Sequence, residues 1–216
     1  MIINVRGTSG SGKSTLVNRI MDSYAVKLAI RDQKNPDAKR PIGYLLSNDR
    51  TKWLAVIGHY EIACGGCDTI SDMGEVFAKV KEAHDLGYDV LFEGAIVSTL
   101  ARNVIELHVA GYPVEVISLN TPLDVCLMSI NARREAKWDE RCKVIDLANE
   151  AIRSGAKKGK IKDYPERPEP VNPKTTKGKF ASTKSTHAKI EAAGIPAVWA
   201  SRDEAETLIK QRLGLV

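Results

Sequence analysis

The chain has little cysteine, few aromatic residues and no long apolar run. Four cysteines in 216 residues are too few for a disulfide-stapled scaffold, which points to a reducing compartment. No apolar stretch approaches the roughly 18 residues needed to cross a bilayer, so neither a transmembrane helix nor a membrane partner is expected. The N-terminus passes straight into an apolar strand and a glycine-rich loop, so no signal peptide is expected. The expected location is the cytoplasm. No internal repeat is visible. What is present is ordinary for a globular protein, 43% hydrophobic and 27% charged, and it suffices to bury a core. The length fits one domain over 1–216, with a core of about 1–135 and 190–216 and an insertion of about 136–189. The net charge of +5 is modest but uneven, because residues 153–189 hold eleven Lys and Arg against three Asp and Glu.

The strongest local signal comes first. Met1-Ile-Ile-Asn-Val-Arg6 reads as a strand, Gly7-Thr-Ser-Gly-Ser-Gly-Lys-Ser14 as a loop, and Thr15 to Met21 as the first turns of a helix. Gly7, Gly10 and Gly12 allow dihedrals closed to other residues and a close approach to an anion. The inward N–H groups of Thr8, Ser9, Gly10, Ser11 and Thr15 and the dipole of the following helix favour a phosphate there. Lys13 has the reach for β- and γ-phosphates, and the Ser14 hydroxyl can ligate Mg²⁺. The alternative is a Gly/Ser-rich surface turn, which the flanking strand and helix argue against. The segment resembles the Walker A loop of P-loop NTPases and kinases, which implies ATP and Mg²⁺ as cofactors.

Further strands are expected at 24–30, 42–46, 53–57, 88–93, 114–119 and 195–200. Those at 42–46 and 53–57 read as an antiparallel edge hairpin. Helices are expected over about 69–86, 99–110, Leu123 to Arg134, 140–153 and 203–213, and 190–193 reads as the end of a further helix. Ser154 to Lys189 is rich in Lys, Gly, Pro and Thr without apolar periodicity, and reads either as a mobile basic lid or as a solvated linker. The alternation of strand and helix implies an α/β fold, a mostly parallel five-stranded P-loop NTPase sheet with helices on both faces, plus the hairpin and the basic lid. Arg6, Asp32, Glu93 and Asn120 all follow strands and are expected to meet at the C-terminal sheet edge, where ligands bind.

Val90-Leu-Phe-Glu93-Gly94 looks like a Walker B strand with Glu for the usual Asp. Its carboxylate either holds Mg²⁺ together with Ser14, accepts the proton of an attacking hydroxyl, or is a solvent-exposed strand end. Ile30-Arg31-Asp32 resembles the Arg-Asp of polynucleotide-kinase-type P-loop enzymes, whose Asp takes the acceptor's proton, and Asp32 is equally readable as a turn former. Cys64-Gly-Gly-Cys-Asp68 supplies two thiols where structural zinc takes about four ligands. A tight loop fits it better, with Asp68 capping a helix or facing the acceptor, and with Tyr60 and the glycines admitting a flat base. Arg133 and Arg134 close a helix, where they either neutralise the transferred phosphoryl group, as lid arginines of P-loop kinases do, or complement the helix dipole.

A GTPase is disfavoured by the absence of D-x-x-G before Glu93, and the chain is short for a motor. The order of phosphate loop, hairpin, Tyr60 with Cys64-Gly-Gly-Cys-Asp68, and Phe92-Glu-Gly94 is similar to small bacteriophage P-loop kinases of the 5-hydroxymethyluracil DNA kinase type. The resemblance implies transfer of the ATP γ-phosphate to 5-hydroxymethyluracil in phage DNA, with DNA contacted through 153–189. A free nucleoside or nucleoside monophosphate is the alternative acceptor. An ATP-gated nucleic-acid-binding protein without transfer is the alternative from another class.

Overall fold

A computed structural model describes all residues except 33–36, 38–39, 50, 63–64 and 71. Among the described residues, seven strands form one sheet: β1 (Ile2–Arg6), β2 (Val26–Ile30), β3 (Gly43–Ser47), β4 (Leu54–Ile57), β5 (Asp89–Glu93), β6 (Val114–Leu119) and β7 (Ala197–Ala200). Six helices accompany them: α1 (Lys13–Met21), α2 (Met73–Asp85), α3 (Arg102–Val109), α4 (Leu123–Arg153), α5 (Pro173–Ala192) and α6 (Arg202–Arg212). The strand order is β2-β3-β4-β5-β1-β6-β7.

The sheet is mostly parallel, as expected, but it has seven strands and not five. The parallel block is β4-β5-β1-β6-β7, and β2 and β3 continue it antiparallel. The hairpin is therefore part of the sheet, and its second strand is interior. Composition explains the placement. Leu54-Ala-Val-Ile57 is apolar throughout and fully buried, the mark of a strand covered on both faces. Val26-Lys-Leu-Ala-Ile30 is largely exposed and takes the edge.

Alternation along the strands splits the core in two. Ile3, Val5, Leu91, Ile117 and Leu119 face α1 and α6. Ile2, Val90, Phe92, Val114 and Val116 face α2, α3 and the end of α5. Helices thus cover both faces, and the C-terminal ends of the parallel strands are left open.

The region after β6 departs from expectation. One helix, α4, runs for 31 residues, so Arg133 and Arg134 sit mid-helix and not at a helix end. No Gly or Pro interrupts Leu123–Arg153, and nothing between Arg134 and Glu140 stops the helix. Residues 156–172 return along α4 as an extended strap. Asn149 exchanges two hydrogen bonds with the Lys162 backbone, of 2.9 and 2.8 Å. The Trp138 indole N–H donates to Pro165 O at 2.9 Å, and Val171 N–H donates to Asn131 Oδ1 at 2.8 Å. Arg167 pairs with Glu135 and Tyr164 with Asp146.

The second half of the basic segment is then helical. Asn172 caps α5 by accepting from Lys174 N–H at 2.9 Å, and Pro173 occupies the first turn. The helix escaped the periodicity because its buried face is made of Thr176, Thr183, Thr186, His187 and Ile190, largely polar residues. His187 meets Ser118 Oγ at 2.7 Å and stacks on Trp199 with ring centroids 4.4 Å apart.

Asn149→Ala removes both partners of the Lys162 peptide group, an expected local cost of roughly 1–3 kcal/mol. Amide exchange around residue 162 should accelerate while the melting temperature of the sheet domain barely moves. Unchanged exchange at Lys162 would show that Asn149 does not hold the strap.

Candidate active site

The loop between β1 and α1 is kept clear for an anion. Gly12 takes the cap position of α1 at φ 92°, and no side chain caps the first turn, whose N–H groups face outward. Lys13 is buried, and its Nζ donates to Gly7 O at 2.8 Å and Thr8 O at 3.1 Å, which leaves one of three donors for a ligand. Burial lowers the Lys13 pKa, and nearby Glu93 and Asp68 oppose that shift. Thr8 Oγ1 and Ser11 Oγ are buried without a hydrogen-bond partner. Thr121 Oγ1 donates to Ser11 O at 2.9 Å and ties the loop to the start of α4.

Glu93 ends β5 beside this loop, because β1 and β5 are paired in register with Val5 opposite Glu93. It is 1% exposed, and its Oε1 accepts from Ser14 Oγ at 2.8 Å. Burial raises its pKa to about 7, against the lowering effect of Lys13 and the Ser14 hydrogen bond. Gly66 explains the tight fit around it. Gly66 has φ +83°, and a Cβ there would collide with Glu93 Oε1. Gly66 therefore lets one backbone close over the carboxylate, and Gly65 lets the same loop pass against the His59 carbonyl. Cys67 is buried with its thiol on Ile57 O at 3.4 Å, and Cys64 lies outside the described residues. Among the described residues no group of three or more His, Cys, Asp or Glu could hold a metal ion.

Asp68 accepts from Ala95 N–H at 2.7 Å and Ile96 N–H at 3.0 Å. It thereby fixes the chain just after Glu93-Gly94, and α2 is capped by Asp72 instead. Ser98, not singled out by its sequence pattern, and Arg6, expected at the ligand edge but buried behind the cleft, complete this scaffold. Ser98 Oγ accepts from Gly7 N–H at 3.1 Å and donates to Gly94 O at 2.6 Å, which joins the first loop glycine to the turn after Glu93. Arg6, fully buried, donates to Val97 O at 2.7 Å, Leu100 O at 3.0 Å and Asn4 Oδ1 at 3.1 Å. Desolvation lowers its pKa to about 10.

These groups floor a cleft of about 790 Å³. Its walls bring together Ser9 to Thr15, Tyr60, Gly65, Asp68, Glu93, Asn120 and Arg133. Gly7 and Thr8 are buried beneath the loop. Arg134 is exposed and, one residue further round α4, does not line the cleft. Asp32 does not line it either. It follows β2 at the sheet edge, and β3, β4 and β5 lie between that strand and β1. Asn18, Glu61, Ile62, Thr121 and Arg202 also line the cleft and were not anticipated. Arg202 was within reach of the strand-end rule, since it comes two residues after β7.

Glu93 has a sign-definite effect on stability. Its pKa is 4.5 in the unfolded chain and about 7 in the folded one, so the folded protein binds more protons between those values. The contribution is complete below pH 4.5 and is lost as pH rises through about 7. It amounts to as much as ~3 kcal/mol. Denaturant unfolding of nucleotide-free protein at both ends of that window should show a larger loss for wild type than for Glu93→Gln. Equal losses would mean that the carboxyl titrates normally.

A family model described as 5-hmdU DNA kinase matches residues 1–160. A protein named 5-hmdU DNA kinase from Pseudomonas phage PaMx11 is 41% identical over 98% of this chain and 96% of its own length. One of the same name from Pseudomonas phage M6 is 33% identical over 67% of this chain and 78% of its own. A 5-hmdU DNA kinase 1 from Salmonella phage ViI is 31% identical over 60% of this chain and 57% of its own.

Proposed function

The chain belongs to the 5-hmdU DNA kinase family, and from that premise we propose that it transfers the γ-phosphate of ATP to the hydroxymethyl oxygen of 5-hydroxymethyluracil in DNA. The observation that carries the chemistry is the buried Glu93–Ser14 pair set beside Lys13 at the floor of one open cleft. Loop amides without a cap, a spare Lys13 donor and the unpartnered hydroxyls of Thr8 and Ser11 suit a triphosphate. Ser9, Gly10, Gly12 and Thr15 complete the cradle through their backbones. Ser14, and Glu93 through water, would hold Mg²⁺. Bound there, the ion supplies charge neutralisation across the phosphate oxygens.

In the transfer, the acceptor O–H bond breaks and a new O–P bond forms at the γ-phosphorus. The bond from that phosphorus to the β-phosphate oxygen breaks, and ADP leaves with the electron pair. Glu93, oriented by the hydrogen bond from Ser14, takes the hydroxyl proton. Asp68 anchors Ala95 and Ile96 and so shapes the acceptor side of the cleft, next to Tyr60 and Gly65. Arg133 reaches the cleft from α4 and stabilises charge on the moving phosphoryl group. A duplex acceptor base must leave the stack to enter. The basic segment 153–189 meets the DNA backbone. Among the described residues no helix is long and apolar enough to cross a membrane.

Labelled γ-phosphate should appear on duplex containing 5-hydroxymethyluracil and not on unmodified duplex. Lys13→Ala and Glu93→Gln should each lower that transfer by roughly 10²-fold or more. Label on free nucleosides or monophosphates alone would overturn the DNA acceptor. ATP binding with no label on any acceptor would favour a binding protein without transfer.

A further inference from the structure

The α5 helix carries a cationic face that the catalytic cleft does not use. Lys174, Lys177, Lys184 and Lys189 are exposed and fall, by helical spacing, on the side opposite buried Thr176, Thr183, Thr186 and Ile190. The positions interleaved on that side are Gly178, Ala181, Ser185 and Ala188, all small. No acidic residue occurs between Lys174 and Ile190. None of the lysines of α5 forms an ion pair, although thirteen ion pairs occur among the described residues. Lys184 stands over the Phe180 ring at 4.8 Å, which orients the ammonium without neutralising it.

The helix is fixed relative to the cleft. Thr186 Oγ1, which donates to Ser182 O at 2.7 Å, packs 3.5 Å from Thr99 O, and the same short loop, entered from Glu93, has its Ala95 and Ile96 N–H groups on Asp68. His187 locks the helix to β6 through Ser118 and to β7 through Trp199. A partner lying on the lysines is therefore carried by the loop that borders the acceptor side. From Lys174 to Lys189 the rise is about 22 Å, which matches several successive phosphates of one strand.

We propose that this face of α5 is the DNA-docking surface of the protein, contacting the sugar-phosphate backbone without reading sequence. The partner is a polyanionic duplex, because the unpaired charge is one-signed and the small interleaved side chains let a backbone come close. The proposal rests on the DNA-acceptor reading and narrows the basic segment 153–189 to one helix face.

The test is fluorescence-anisotropy binding of the full chain to an unmodified 30-base-pair duplex across a salt series. The variants are Lys174→Gln/Lys177→Gln/Lys184→Gln/Lys189→Gln, the same four positions as Arg, and a control of equal charge change, Lys27→Gln/Lys79→Gln/Lys81→Gln/Lys210→Gln. The α5 Gln variant should bind at least tenfold more weakly near 0.1 M salt, with its log–log salt slope reduced by about three. The Arg variant should bind within about twofold of wild type, and nucleotide binding and helical circular dichroism should stay unchanged in all three. Equal weakening of the control would reduce the effect to net charge and overturn the surface. An unchanged slope in the α5 Gln variant would overturn it as well. Wild type that binds duplex through these lysines yet labels no DNA would remove the acceptor reading and leave the surface standing.

Discussion

A carboxylate kept dry against a phosphate-binding loop is the constraint that organises this molecule. Burying a charge without partners costs several kcal/mol, so the group either finds partners or stays protonated. Glu93 does part of each. It takes one hydrogen bond from Ser14, it feels Lys13, and its pKa still rises to about 7. Gly66 of Cys64-Gly-Gly-Cys-Asp68 follows from this, because any larger residue there would displace the carboxylate. Asp68 and Ser98 follow as well, since the chain leaving Glu93 must be held while its carboxylate points at the loop.

The same arrangement explains the buried Arg6. A guanidinium with no acidic partner is an unusual occupant of a sheet centre. Its donors reach the carbonyls of Val97 and Leu100, which lie in the turn that Ser98 ties to Gly7. Phosphate loop and carboxylate strand are thus coupled twice from beneath, once by a hydroxyl and once by a cation. Neither coupling consumes an amide that faces the cleft.

Much of this was legible in the sequence where backbone chemistry dictates residue type. The Gly7–Ser14 loop, the buried run ending at Glu93 and the covering of both sheet faces came from spacing and periodicity alone. Other features depend on contacts that no local pattern encodes. Asp32 ends a strand, as Glu93 does, yet the edge position of β2 separates it from the phosphate-loop strand. Arg133 and Arg134 look equivalent as a pair, but one turns into the cleft and the other to solvent. The α5 helix was hidden because threonines fill its buried face, although Asn172-Pro173 marked its start. Ser98 is an ordinary serine until two distant backbones converge on it.

The distribution of charge follows the same division between a site that does chemistry and an arm that holds a partner. Residues 123–192 carry sixteen Lys and Arg against ten Asp and Glu, and the rest of the chain sixteen against seventeen. The whole excess of positive charge therefore lies on α4, the strap and α5. A nearly neutral sheet domain offers a polyanion little outside the phosphate loop, and the loop selects its anion by geometry. On the α5 proposal a long polyanion settles instead on the arm, where the charge excess is positive and the stretch from Lys174 to Ile190 carries no acidic residue. The side-chain anchors along α4, at Asn131, Trp138 and Asn149, then have a mechanical purpose. Lysines on a slack chain would bind DNA without placing a base, whereas lysines on a helix locked to β6 and β7 transmit the position of the backbone to the loop beside Glu93.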